Sequence, residues 1–123
     1  MILIDANAIL RYMLNDNTDM AMSVHDLTLR NKITVRYEVM AEVIYVLEKV
    51  YAMPRKEIRD GITVFLSMPC VEVETKDVLL LALDTYAGKK LDFVDCLLYG
   101  FRVVCGYRAF TFDKELNKLI KNL

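Results

Sequence analysis

The stretch ILIDANAILRYMLN, residues 2 to 15, opens with an apolar run, Ile2 to Ile4, that stops at Asp5 and passes without a linker into helical spacing from Ala6. A short β-branched and leucine run with no polar alternation suits a strand buried on both faces, the habit of parallel sheets. A strand that feeds directly into a helix is the first half of a crossover unit, so the chain opens as an α/β protein.

The alternation continues outward from there. MAMSVHDLTLR, residues 20 to 30, is the next helix, and KITV, 32 to 35, the next strand. YEVMAEVIYVLEKVY is a strong helix from Tyr37, and Pro54 suits the first turn of another through IRDGITVFLS. CVEVE, 70 to 74, alternates like a strand, and DVLLLALDTYAG is a helix stopped at Gly88, a left-handed cap. A helix from Asp92 follows, then YRAFTFD, 107 to 113, as the last strand and KELNKLIKNL as a terminal helix. The expected fold is a three-layer α/β domain with a central, mostly parallel sheet of four to five short strands covered by helices.

With 123 residues, 55% of them hydrophobic, and no low-complexity linker, residues 1–123 are expected to form a single domain. A net charge of −1 does not announce a nucleic-acid binder, so any such role must come from a local patch. Cys70, Cys96 and Cys105 are odd in number, lack zinc-site spacing and sit among apolar neighbours, which suits reduced, buried thiols. No basic leader precedes the first strand, and no apolar run approaches the ~18 residues that span a bilayer. A cytoplasmic protein without a membrane partner is expected.

Function in a parallel sheet collects at the carboxyl ends of its strands. Asp5 and Asp113 end the first and last expected strands, although each also precedes a helix and can serve as its N-cap. On the helix from Tyr37, Glu42 lies about 40° outside the apolar arc, at its boundary, whereas Glu38 and Glu48 lie on the polar side. The segment LDFVDCLLYGF, 91 to 101, is apolar on most of its circumference apart from a stripe of Asp92, Asp95, Tyr99 and Arg102. Asp92 fits a capping box, its side chain bonding a backbone N–H in the first turn. Asp95 lies one turn into a mostly buried helix, where a carboxylate is costly unless a cation or donors meet it. Arg102 is one candidate, two turns away, and a metal ion is the other.

Taken in order, IDAN, VMAEVIYVL, LDFVDCLLYG and FTFDKEL resemble the four acidic motifs of PIN-domain ribonucleases, above all the VapC-type toxins of toxin–antitoxin pairs. The resemblance spans essentially the whole chain. It implies an acidic quartet of Asp5, Glu42, Asp95 and Asp113, with Asn7 and Thr111 as supporting polar residues and Asp92 beside them. Cys96 stands where the family usually has Ala, a substitution between small apolar residues. The resemblance further implies endonucleolytic hydrolysis of RNA leaving 5′-phosphate and 3′-hydroxyl ends and a small antitoxin protein as partner; a homodimer is also expected.

The residue chemistry agrees with this. Carboxylates without His or Cys make a hard oxygen site of the kind Mg²⁺ or Mn²⁺ prefers, with the remaining ligands drawn from water and phosphate. Asp5, Asp95 and Asp113 would hold the metal, Glu42 would do so or orient the attacking water, and Asn7, Thr111 and Asp92 would support them. Setting the four acids aside, 16 basic residues face 13 acidic ones, and Arg11, Lys89, Lys90, Arg102 and Arg108 are candidates for phosphate contact. Met13, Leu14, Met20, Met22, Val24 and Leu27 on the first two helices suit an adaptable groove for a partner, with one or two expected to stay exposed. The competing readings are a catalytically silent binding module, a stand-alone RNA-processing nuclease, and a phosphoryl-accepting domain. The last would want a second acid where Asn7 stands.

Overall fold

In the computed structural model, which describes all of residues 1–123, strands and helices alternate through the first half of the chain and helices alone make the second. The chain divides into two compact units, Met1–Glu74 and Thr75–Leu123.

The first unit holds the sheet. Its strands β1 (Ile2–Leu3), β2 (Ile33–Thr34) and β3 (Val71–Glu72) are parallel and lie in the order β1-β2-β3, with Ile2 opposite Ile33 and Ile33 opposite Val71. Around them run α1 (Ala6–Leu14), α2 (Thr18–Arg30), α3 (Tyr37–Lys49) and α4 (Arg55–Leu66). Their apolar stripes supply the buried residues, among them Ile9, Met40, Val43, Leu47, Ile58 and Ile62. Pro54 is the N-cap of α4 rather than part of its first turn. Arg55 at the start of α4 pairs with Glu48 of α3 at 2.9 Å.

The second unit is helical: α5 (Lys76–Gly88), α6 (Phe93–Cys105) and α7 (Lys114–Lys121). Its buried residues include Val78, Leu79, Leu83, Tyr86, Phe93, Cys96, Leu97 and Leu116. Tyr86 and Phe93 meet edge to face, ring centres 5.9 Å apart. α5 and α6 pack closely because Gly100 has no side chain: a Cβ there would stand 2.7 Å from the Val78 carbonyl oxygen.

The sheet has three strands, not four to five, because residues 107 to 113 form no ladder. The two-residue alternation that suggests a strand there survives in the exposure pattern, with Ala109 and Thr111 half-buried and Phe110 and Phe112 outward, but no neighbouring strand accepts the segment. Nor is β1 buried on both faces. It is the outer strand, paired on one side only, and Leu3 is 69% exposed. Gly88 is the last helical residue of α5 and not a left-handed cap; that conformation belongs to Gly106, which ends α6 at φ 73°. All three cysteines are free thiols, but Cys96 alone is buried, Cys70 being half-buried and Cys105 exposed at the end of α6. No helix is long and apolar enough to cross a membrane.

Candidate active site

Asp5 leaves β1 and caps α1, its Oδ1 accepting the Ala8 N–H at 2.8 Å while Oδ2 stays open. Asn7, in the first turn of α1, is exposed. The three acids of α3 divide sharply. Arg36 donates to Glu38 at 2.9 Å, which holds the Glu38 carboxyl below its usual range. Glu48 is taken by Arg55 and Lys49. Glu42, exposed one turn beyond Glu38, has no cation beside it.

Among the candidate phosphate-binding residues, Arg11 is largely committed. Its Nη1 donates to Asp16 at 2.6 Å and its Nη2 to the Tyr51 hydroxyl at 3.4 Å, while its Nε is buried without a partner. The Tyr51 hydroxyl, ahead of Asp16, raises the guanidinium's pKa above its ordinary value. Lys89, Lys90 and Arg108 are exposed, and Arg102 is half-buried on α6.

In the second unit, Asp92 occupies the N-cap position of α6, but its side chain makes no bond to the helix, so the expected capping box does not form. Only the backbone takes part, the Asp92 carbonyl accepting the Cys96 N–H at 3.1 Å. In a capping box the third helical residue reaches back to the cap; here that residue is Asp95, a shorter acid than the usual Glu, and the Asp92 charge acts unfavourably on it.

Asp95 is half-buried, and its carboxyl is pushed above the usual aspartate range by burial first, then by Asp113 and Asp92. Both charges acting on it are negative, so Arg102 is not its partner. Asp113 caps α7, its Oδ1 accepting the Leu116 N–H at 2.8 Å. Thr111 braces the approach: its hydroxyl accepts the Asp113 N–H at 3.0 Å, and its carbonyl accepts from the Asn117 amide at 2.9 Å. Asn117 escapes a reading built on acids. Its signal is the spacing of four from the Asp113 cap, which puts it one turn into α7.

No three His, Cys, Asp or Glu side chains stand close enough together to enclose a metal ion. The donor chemistry nonetheless fits a hard divalent cation. Asp95 is disfavoured as an anion by burial and like charges, which is the environment a cation relieves. Asp5 and Asp113 each keep one carboxylate oxygen outside their helix caps. Imidazole and thiolate play no part, which points to Mg²⁺ or Mn²⁺ over zinc.

No curated protein and no solved structure matches the chain. A family model described as the PIN domain matches residues 2–122, nearly the full length, and the chain therefore belongs to the PIN-domain family, whose fold is in general that of metal-dependent nucleases.

Proposed function

We propose that this PIN-domain protein is an Mg²⁺- or Mn²⁺-dependent endoribonuclease acting through Asp5, Glu42, Asp95 and Asp113, and that it is the VapC-type toxin of a toxin–antitoxin pair. The observation that carries the reading is Asp95: a half-buried carboxyl on a mostly apolar helix, on which the charges of Asp113 and Asp92 act unfavourably. Such a group is a standing demand for a cation.

Asp5, Glu42, Asp95 and Asp113 would be the donors to such an ion. When bound, a divalent ion supplies Lewis-acid polarisation of the phosphodiester and activation of water. The chain's own residues do the rest. Glu42, free of any cationic partner, is available to orient the attacking water and take its proton. Thr111 and Asn117 hold Asp113 at the head of α7, and Asn7 lends an amide beside Asp5. Lys89, Lys90 and Arg102 attract the phosphate backbone.

A small antitoxin is the proposed partner. A groove of about 570 Å³ in the first unit, lined by Tyr12, Met13, Met22, His25, Phe65 and Met68, supports an apolar docking segment. Met20 and Met22 are exposed, in keeping with an adaptable surface. A homodimer is supported by exposed Val94, Leu98 and Cys105, which with half-buried Phe101 recur at helical spacing along one side of α6.

The test is a ribonuclease assay of wild type and Asp95→Asn with EDTA, Mg²⁺ or Mn²⁺, followed by sequencing of RNA ends after brief expression in the host. Metal-dependent cleavage lost in the variant is the expected result. A catalytically silent assembly module is the second reading. It predicts binding of metal or partner with no cleavage under any of these conditions.

A further inference from the structure

The segment between α6 and α7 carries a feature that the acidic residues do not use. Phe110 and Phe112 are 87% and 88% exposed, the two most exposed large apolar side chains of the protein. They are in edge-to-face contact with each other, ring centres 5.4 Å apart and planes 80° apart. Thr111 between them is fixed from both directions, by its hydroxyl to the Asp113 N–H and by its carbonyl to the Asn117 amide. The rings are thus mounted on a braced turn leading directly into Asp113.

Two exposed cations flank them. Arg108, Phe110, Phe112 and Lys114 follow one another at intervals of two, cation, ring, ring, cation, and both basic residues are exposed and outside any ion pair. From Phe101 to Lys114 the chain has three basic residues, Arg102, Arg108 and Lys114, against one acid, Asp113. The residues just before the pair, Tyr107, Arg108 and Ala109, line a hollow of about 290 Å³ with Leu98 and Phe101, and Phe101 and Tyr107 stack at 6.0 Å. A protein partner satisfies the rings but leaves the flanking cations to find acids of their own. A single-stranded nucleic acid satisfies both, its bases stacking on the rings and its phosphates meeting the cations. A duplex keeps its bases stacked on one another and cannot use the rings.

We propose that Phe110 and Phe112 are a base-stacking platform that selects single-stranded RNA and seats it beside Asp113. This rests on the nuclease reading for its purpose, but the binding itself is independent of cleavage.

The chain contains no tryptophan, so Phe112→Trp introduces a single indole reporter at the platform. In EDTA, where cleavage is off, this variant is titrated with oligoadenylate and with the same strand in duplex with oligouridylate. Labelled-oligonucleotide anisotropy is measured in parallel for wild type, Phe110→Ala and Phe112→Ala. Quenching of the indole by the single strand, little by the duplex, and a loss of affinity of between about fivefold and a hundredfold for each Ala variant are expected. The two rings are exposed, so melting temperatures of the Ala variants stay at the wild-type value and a misfolded variant is recognisable. Equal affinity in wild type and both Ala variants overturns the platform, as does loss of self-association in the Ala variants with RNA binding unchanged, which makes the surface a protein interface. A wild type that binds through these rings and never cleaves overturns the nuclease reading and leaves the platform standing.

Discussion

The Thr111 hydroxyl accepts the Asp113 N–H at 3.0 Å while the Asp113 carboxylate accepts the Leu116 N–H at 2.8 Å, so Asp113 is held from both sides of its own backbone. Its carboxylate is oriented by local bonds that involve no other acid.

Asp5 is held by a similar cap at the head of α1. Asp5→Asn keeps an oxygen for the Ala8 N–H and should change stability by only a few tenths of a kcal/mol, whereas Asp5→Ala should lose about 1 kcal/mol. Both should be inactive as nucleases. Urea midpoints beside a cleavage assay separate the two effects, and an Asn variant as unstable as the Ala variant would show that the cap bond contributes nothing.

Asp92 behaves differently. Because its side chain makes no bond to α6, Asp92→Ala and Asp92→Ser should both remain within about 0.5 kcal/mol of wild type. A loss near 1 kcal/mol in Asp92→Ala alone, measured by denaturant unfolding, would mean that the carboxylate caps the helix in solution after all.

Asp95 ties stability to pH in the metal-free protein. Its folded carboxyl titrates above its unfolded counterpart, which lies at roughly 3.9, so between the two values the folded state holds more protons. Stability should therefore fall as pH rises from about 4 through the folded value, with the full penalty present above it. In Asp95→Asn that portion of the decline should disappear, and the metal-free melting temperature near neutral pH should equal or exceed that of wild type. Added Mg²⁺ should raise the wild-type melting temperature and leave the variant's nearly unchanged. Parallel pH profiles for the two proteins would show that the Asp95 carboxyl is not raised, and an equal Mg²⁺ shift in both would remove Asp95 from the metal-binding role.

Gly100→Ala tests the packing of α6. The new methyl would stand 2.7 Å from the Val78 carbonyl oxygen, a backbone atom that cannot swing aside. Overpacking of about 1–3 kcal/mol should outweigh the roughly 1 kcal/mol that Ala gains over Gly within a helix. A higher unfolding midpoint in the variant would show that α5 and α6 separate more easily than the contact implies.

Helical periodicity and the βα rhythm made most elements legible in advance, because burial of one stripe per helix is written directly into residue spacing. The helix from Tyr37 begins where its pattern does, although Glu42, placed by spacing at the edge of the apolar arc, is exposed, and Glu48, placed on the polar side, is half-buried. What spacing cannot express is whether a neighbour exists. YRAFTFD has the alternation of a strand, yet pairing depends on a second segment offering its edge, and that information is not local. The same blindness put a left-handed cap at Gly88 when Gly106 takes it, since both glycines follow apolar helical runs. For the candidate site, residue types told which groups are chemically suited. The electrostatic isolation of Asp95 and the bracing of Thr111 by Asn117 emerge only in three dimensions, because each depends on where the chain brings separated side chains.

Asp5 and Asp113 are helix caps as well as candidate metal ligands. Asparagine caps a helix as well as aspartate does, and codons for the two differ by one base. Two of the four proposed ligands can thus be neutralised by single substitutions that the fold scarcely registers. A lineage built on this architecture can drift from nuclease to inert scaffold without passing through an unstable intermediate, and shape alone would not betray which side of that step a given descendant stands on.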